Sequence, residues 1–244
     1  MKKILITGGG GYVGSALADY LVEKGYAVTV YDLFIYGKNV FNKSDKIKLI
    51  EGDIRNYKLF EKSVSGIDVV IHLACISNDP SFEMNPNLGK SINYDAFEPL
   101  VSLSKKNKVK RFIYASSSSV YGIKENQNVT EDMSLEPLTD YSKFKMECEK
   151  ILNSFKSEVF SVVTIRPATV CGYSKRQRLD VIVNILSNLA YHKREITIFG
   201  GEQLRPNIHI KDMLKAYELL IEADDHKING EIFNAGWENK KVKD

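Results

Sequence analysis

Thr7-Gly8-Gly9-Gly10-Gly11-Tyr12-Val13-Gly14 follows directly on the apolar run Ile4-Leu5-Ile6. A strand that ends in clustered glycines and passes into a helix is the phosphate-gripping start of a dinucleotide-binding fold. The glycines permit a tight turn and leave no side chain where backbone must approach a pyrophosphate. The helix that follows points its partly positive N-terminus at that anion. The segment fits Gly9-x-Gly11-x-x-Gly14, and equally Thr7-Gly8-x-x-Gly11-x-x-Gly14. Glycine runs also occur in plain turns. Here the strand precedes the run, and Val13, Leu17, Tyr20 and Leu21 recur after it at helical spacing, with Gly25 as the stop.

Outward from this turn, strand-like and helix-like segments alternate, as in a parallel sheet covered on both faces. The strand candidates are Lys3–Thr7, Ala27–Tyr31, Lys48–Glu51, Val69–Leu73, Phe112–Ser116 and Ser161–Arg166. A long helix is expected over Ser91–Lys106, kinked by Pro99. A second starts near Asp140 and runs past Leu152. After Arg166 the rhythm changes to a charged loop (Lys175-Arg176-Gln177-Arg178), a helix through Val181–Tyr191 and short strands. The expected fold is α/β, a doubly wound parallel sheet of the Rossmann type over residues 1–166. Residues 167–244 form a small C-terminal substrate-binding region, partly interleaved with the sheet.

Composition narrows the function. The 244 residues suffice for one large α/β domain, and 43% hydrophobic content is that of a globular protein. The net charge of +3 comes from 34 basic and 31 acidic residues spread along the chain. The densest basic stretch, Lys105-Lys106, Lys108 and Lys110-Arg111, reads as a solvated helix end, because no nucleic-acid motif accompanies it. Cys75, Cys148 and Cys171 are odd in number and far apart, which points to a reducing compartment and away from a disulfide framework or zinc site. The four histidines lack metal-ligand spacing. There is no signal peptide and no apolar run that could span a bilayer, so the expectation is a soluble cytoplasmic protein without membrane or nucleic-acid partners.

Asp32 lies at the end of the second strand, 18 positions beyond Gly14. A carboxylate there can accept hydrogen bonds from both hydroxyls of the adenosine ribose and repels a 2′-phosphate, which favours NAD over NADP. Asp53, in Gly52-Asp53-Ile54-Arg55, follows the third strand where a carboxylate could reach the adenine amino group; it reads equally as turn chemistry. With His72-Leu73-Ala74, Ser116–Gly122, Tyr141–Lys145, Arg166-Pro167 and Arg205–His209, these motifs resemble the extended short-chain dehydrogenase/reductase family. The match is to its nucleotide-sugar epimerase/dehydratase branch. The resemblance implies a cofactor cleft drawn from Gly8, Gly11, Tyr12, Val13, Gly14, Asp32, Asp53, Ile54, Leu73, Ala74, Asn93 and Pro167. In that pattern Asn93 supports the active site and Pro167 lies near the nicotinamide amide.

Tyr141 and Lys145 are four residues apart on an expected helix, so both project from one face. A phenol near pKa ~10 is a poor base at neutral pH. An adjacent ammonium and a positive nicotinamide ring favour phenolate, and the expectation is a lowered pKa. Lys145 could also bond the nicotinamide ribose. Ser117, at the end of the fifth strand, would hold the reacting oxygen, and Ser117, Tyr141 and Lys145 form the expected catalytic set.

Two departures from the branch stand out. Dehydratases in it carry an Asp-Glu pair after the catalytic Ser/Thr; here those positions are Ser118 and Ser119. This favours epimerisation, with Ser118 a substrate contact. The chain also stops soon after the strand-like Glu231–Asn234, whereas family members usually continue. By resemblance Asn184 and Arg205 meet the nucleotide diphosphate. Arg176 and Arg178 either add charge there or lie in a solvated loop. His209 reads as structural, and Cys75 and Cys171 as small packing residues. The family pattern also implies a homodimer through the two long helices. Three functions are weighed: an NAD-dependent nucleotide-sugar epimerase, a net oxidoreductase on a keto-sugar nucleotide, and a non-catalytic NAD-binding regulator. Stoichiometric NADH consumption separates the first two; the complete Ser-Tyr-Lys set argues against the third.

Overall fold

The structure, a computed structural model, describes residues 1–125 and 128–244. In chain order it contains β1 (Lys3–Thr7), α1 (Tyr12–Glu23), β2 (Ala27–Asp32), β3 (Ile47–Glu51), α2 (Tyr57–Val64), β4 (Val69–His72), α3 (Asp79–Glu83) and α4 (Pro86–Lys90). A π-helical turn (Ser91–Asp95), α5 (Phe97–Lys106), β5 (Arg111–Ala115), a short 3-10 helix (Ser118–Tyr121), α6 (Asp140–Ser154) and β6 (Ser161–Pro167) follow. The chain ends with β7 (Thr169–Cys171), α7 (Ile182–Lys193), β8 (Leu204–His209), α8 (Ile210–Glu222), α9 (Asp225–Ile228), β9 (Ile232–Ala235) and β10 (Glu238–Lys241).

Seven parallel strands form the main sheet in the order β3-β2-β1-β4-β5-β6-β9. This is the Rossmann arrangement, with the order reversing between β1 and β4. Side chains alternate across the pleat, so Ile4 and Ile6 enter one core with Leu17 and Leu21 of α1 and Met213 and Tyr217 of α8. Leu5 enters the opposite core with Phe60 of α2, Phe97 of α5 and Leu152 of α6. Both faces are covered, which is why the strands read as near-continuous apolar runs.

Elements beyond residue 166 complete this core: α8 lies beneath α1, β9 pairs with β6 in the register Ile165↔Phe233, and Ile208 of β8 and Ile228 of α9 are buried in it. The same segment also forms a three-stranded sheet, β10-β8-β7, with α7 beside it.

The helix expected over Ser91–Lys106 is divided. Pro99 has no N–H to give the Asp95 carbonyl, and its ring crowds that carbonyl. The chain accordingly winds a π turn to Asp95 and restarts as α5 at Phe97. Pro99 then occupies the third residue of the new helix, where an N–H would have no intrahelical partner.

Candidate active site

The glycine turn is fixed by backbone collisions. Gly8 has φ +70°, and a Cβ there would lie 2.6 Å from the Ala74 nitrogen. A Cβ on Gly14 would lie 2.5 Å from the Gly8 oxygen. The ends of β1 and β4 can thus meet only over glycine, and the first turn of α1 can approach the loop only through Gly14. Gly11 caps α1 without a side-chain bond, and that first turn carries no acidic residue. Its amide donors remain available to an anion, so the turn fits the pyrophosphate of a dinucleotide.

Around this cradle the other expected cofactor residues fall at the carboxyl edge of the sheet. Asp32 accepts from the Gly10 amide (2.9 Å) and from the Phe34 amide (2.7 Å), which pins its carboxylate beside the turn. Asp53 is engaged by the Arg55 guanidinium, whose hydrogen bonds hold it below the usual carboxylate range. Ile54 is buried, and Val13 packs against the core. Leu73 N donates to the Thr7 carbonyl (3.0 Å), joining the two strand ends. Beneath them the buried His72 Nδ1 lies 2.8 Å from Thr7 Oγ1, and burial, with Lys145, pulls its pKa down to about 3.

Asn93 clasps the Ile76 backbone through both amide atoms (2.8 and 2.9 Å), fixing the loop after β4. Pro167 ends β6 in register with Ala235.

Ser117, Tyr141 and Lys145 converge. Ser117 caps the 3-10 helix and accepts from the Ser119 amide (3.2 Å) and the Ser119 hydroxyl (2.8 Å). Tyr141 lies in the first turn of α6, which is locked by a reciprocal capping box between Thr139 and Ser142. One turn on, Lys145 Nζ donates to the Ala115 carbonyl (2.7 Å) and lies 5.8 Å from the Tyr141 ring centre.

The protein's own groups act on the phenol with opposing signs. Burial raises the Tyr141 phenol above its ordinary value and outweighs the lowering by Lys145, Ser117 and Arg178, with the Cys75 thiol adding to the rise. The protein's own groups therefore keep this phenol protonated; charge brought by a ligand must supply any further lowering. Burial also pulls Lys145 down, but Cys75 and Tyr141 more than compensate and it stays an ammonium.

Cys75, read from sequence as a packing residue, thus acts on Lys145, whose hydrogen bond goes to the Ala115 carbonyl. Arg178 acts on both Tyr141 and Cys75 while paired with Asp180 at 2.8 Å. That side chain is only 19% exposed, which favours the added-charge alternative over a solvated loop. Arg176 instead stacks on Tyr36 at 3.7 Å from the ring centre. Asn184 is buried and fully engaged. It accepts from Gly172 N (2.9 Å) and donates to the Arg178 carbonyl (2.8 Å) and the Tyr12 hydroxyl (3.2 Å).

Asn184 lines a cleft of about 420 Å³ with Cys171, Gly172, Leu179, Tyr191 and His209. His209 Nδ1 accepts from the Lys211 amide and caps α8, a structural role. Arg205 stands exposed on β8 opposite Lys240 of β10 and outside that cleft. Ser118 lies half-buried in the turn after Ser117.

Sequence comparison assigns the class. The profile of the NAD dependent epimerase/dehydratase family matches residues 4–236, and the chain belongs to that family. It is 30% identical over 259 residues to a dTDP-D-glucose 4,6-dehydratase from Dictyostelium discoideum, covering 97% of this chain and 58% of that protein. Among solved structures it resembles a UDP-N-acetylglucosamine 4-epimerase from Methanobrevibacter ruminantium M1, in complex with UDP-N-acetylmuramic acid. The TM-score is 0.88 at 30% identity, covering 99% of this chain and 78% of that one. A UDP-glucuronic acid 4-epimerase from Bacillus cereus, in complex with UDP-glucuronic acid and NAD, gives a TM-score of 0.88 at 29% identity, covering 98% and 79%. NAD is accordingly the cofactor, and the cradle at Gly8–Gly14 fits it.

Proposed function

We propose that this chain is an NAD-dependent nucleotide-sugar epimerase that oxidises a ring carbinol transiently and reduces the ketone on its other face. The observation that carries this reading is the pair Ser118-Ser119 directly after Ser117. Elimination of water needs an acid and a base at the sugar, and two hydroxyls near neutral pH supply neither. The groups that act most strongly on Tyr141 are Lys145, Cys75, Ser117 and Arg178, none of them a carboxylate. The relatives named as epimerases of UDP-sugars support a UDP-hexose as substrate and its C4 as the stereocentre.

In this reading the bound cofactor supplies reversible hydride transfer. Tyr141 Oη takes the proton of the sugar hydroxyl and returns it. Lys145 holds the ammonium charge that favours phenolate and would help hold the nicotinamide ribose. Ser117 Oγ holds the reacting oxygen, and Ser118 contacts the sugar. Arg205, exposed on β8 outside the Asn184 cleft, would offer its guanidinium to a diphosphate that extends beyond that cleft, and Asn184 shapes the cleft wall. Asp32 takes the adenosine ribose. The pairing of two copies through α5 and α6 and a cytoplasmic location belong to the same proposal, the latter fitting three free cysteines. Light scattering tests the pairing: a dimeric mass is expected, and a monomer at micromolar concentration overturns it.

The test of the reaction is incubation of the purified chain with NAD and a panel of UDP-hexoses, read by NMR. The expected outcome is the C4 epimer with no net NADH. A deoxy-keto product would make it a dehydratase, and stoichiometric NADH turnover a net oxidoreductase.

A further inference from the structure

Beneath Ser117 and Tyr141 lies an ion pair that the roles above leave unused. Tyr141, Lys145 and Glu149 recur every fourth residue on α6 and share one face. Glu149 meets Arg166 of β6 through two bonds, Nη2 to Oε2 at 2.7 Å and Nε to Oε1 at 3.0 Å. Their side chains are 4% and 2% exposed. Removing two charges from water is costly, and apolar replacement of such a pair is often neutral or stabilising, so stability alone is a weak reason for it.

What the pair holds is more telling. The Ser116 hydroxyl donates to Glu149 Oε1 in a short contact. Arg166 Nη1 donates to the Tyr121 hydroxyl (2.7 Å), which in turn donates to Asn234 Oδ1 on β9 (2.7 Å). Ser116 and Tyr121 flank the turn that carries the Ser117, Ser118 and Ser119 hydroxyls. One buried pair therefore grips that turn at both ends. Neither Glu149 nor Arg166 reaches the cleft.

We propose that Glu149 and Arg166 are positioning residues for the reaction, holding the Ser117 hydroxyl in register with Tyr141 by way of Ser116 and Tyr121. This deepens the epimerase reading, yet its test is independent of turnover. The groups that act most strongly on the phenol are Lys145 from α6, Cys75 after β4, Arg178 from the loop before α7, and Ser117, and the buried Tyr114 of β5 also couples to it. Of these, only Ser117 adjoins a residue that Glu149 holds.

The experiment uses the full NAD-loaded chain labelled with 13Cζ-tyrosine, the Tyr141 resonance being assigned with Tyr141→Phe. Ser116→Ala should raise the Tyr141 titration midpoint by about one pH unit, because a hydroxyl donated to phenolate is misplaced. NAD affinity should stay close to wild type, and the variant should remain folded with a lowered thermal midpoint, because a buried carboxylate loses one donor. Ser116→Thr should bring the titration back. Tyr121→Phe cuts the second grip and should raise the midpoint as well. Glu149→Gln should do so wherever the variant folds. A midpoint unmoved by Ser116→Ala and Tyr121→Phe overturns the proposal. So does a rise that Ser116→Thr fails to reverse, which would mark a packing effect. Lack of epimerase product with an intact response to Ser116→Ala would refute the functional reading and leave the positioning pair standing.

Discussion

α1 and α7 are both twelve residues long and both border the ligand clefts, yet they are built on opposite terms. α1 buries Tyr12, Gly14, Ser15, Leu17, Ala18 and Leu21 between the sheet and α8, whereas α7 buries Asn184 alone. On and beside α7 the large side chains Tyr191 and Tyr173 are exposed, as are Phe199 and Trp237 further along the C-terminal segment. In the proposed reading the cofactor side is thus made from the hydrophobic core itself, and the substrate side is laid on its rim. Changes on the first side should disturb folding and binding together. Changes on the second should disturb one without the other.

The largest effect is expected where the two sides meet. Tyr141→Phe should lower turnover by roughly a hundredfold to ten-thousandfold, the usual worth of a general base. NAD affinity should move less than twofold, since the ring remains. Steady-state kinetics with calorimetry checks this, and activity within a fewfold of wild type would remove the phenol from its role. Next comes the cradle. Gly8→Ala places a Cβ 2.6 Å from the Ala74 nitrogen at φ +70°. Left-handed strain and overpacking together should cost about 2–5 kcal/mol, read by urea unfolding. NAD binding should weaken in the same variant, because the collision and the phosphate turn share one segment.

This division also explains what the sequence revealed. The glycine spacing is a short-range pattern, legible because local backbone geometry demands Gly8 and Gly14 at those positions. The placing of Asp32 beside the turn and of Tyr141 and Lys145 one turn apart on α6 was legible from equally short intervals. The sign of the Tyr141 shift was not legible. Spacing reveals the ammonium four residues on, but burial, which outweighs it, depends on the whole packed sheet. Cys75 carried no signal, since its neighbours Tyr141 and Lys145 lie more than sixty residues away in the chain. The Glu149–Arg166 clamp half-announced itself, since Glu149 continues the four-residue rhythm of Tyr141 and Lys145, but its partner on β6 is a tertiary fact. The Asn184 amide could be matched to a family position but not to Gly172, Tyr12 and Arg178, which a loop brings to it.

On the rim, Arg205→Ala should weaken a nucleoside diphosphate about tenfold to a hundredfold, the worth of one charge-assisted contact. NAD affinity and the unfolding midpoint should be unchanged, because Arg205 is exposed and far from the glycine turn in the chain. Paired titrations on one folded variant decide this; equal losses, or none, would end its role as a clamp. A smaller effect returns to the core. His72 is held neutral down to about pH 3 by burial, whereas an unfolded histidine takes a proton near pH ~6.5. The unfolded state then binds the extra proton, so stability falls as pH drops through that value. The slope should approach about 1.4 kcal/mol per pH unit between pH 6 and 5, above the range of most carboxylates. His72→Gln should flatten it in urea titrations, and an unchanged slope would place the proton uptake elsewhere.

The smallest effect sharpens the opening contrast, because it compares apolar truncations on the two helices. Leu17 is fully buried against Ile4, Ile6 and α8, while Val183 of α7 is 38% exposed. Leu17→Ala removes packed methyls and leaves a cavity that the sheet cannot close, at a cost of about 2–5 kcal/mol. Val183→Ala removes methyls already in contact with water and should change stability by no more than about 0.5 kcal/mol. Val183 nevertheless lines the cleft shared with Asn184 and His209, so its small effect should surface in sugar-nucleotide affinity and not in unfolding. Urea unfolding of both variants, with one nucleotide titration of Val183→Ala, is the measurement. A loss of 2 kcal/mol or more at Val183 would mean that α7 belongs to the core after all, and the contrast with α1 would collapse.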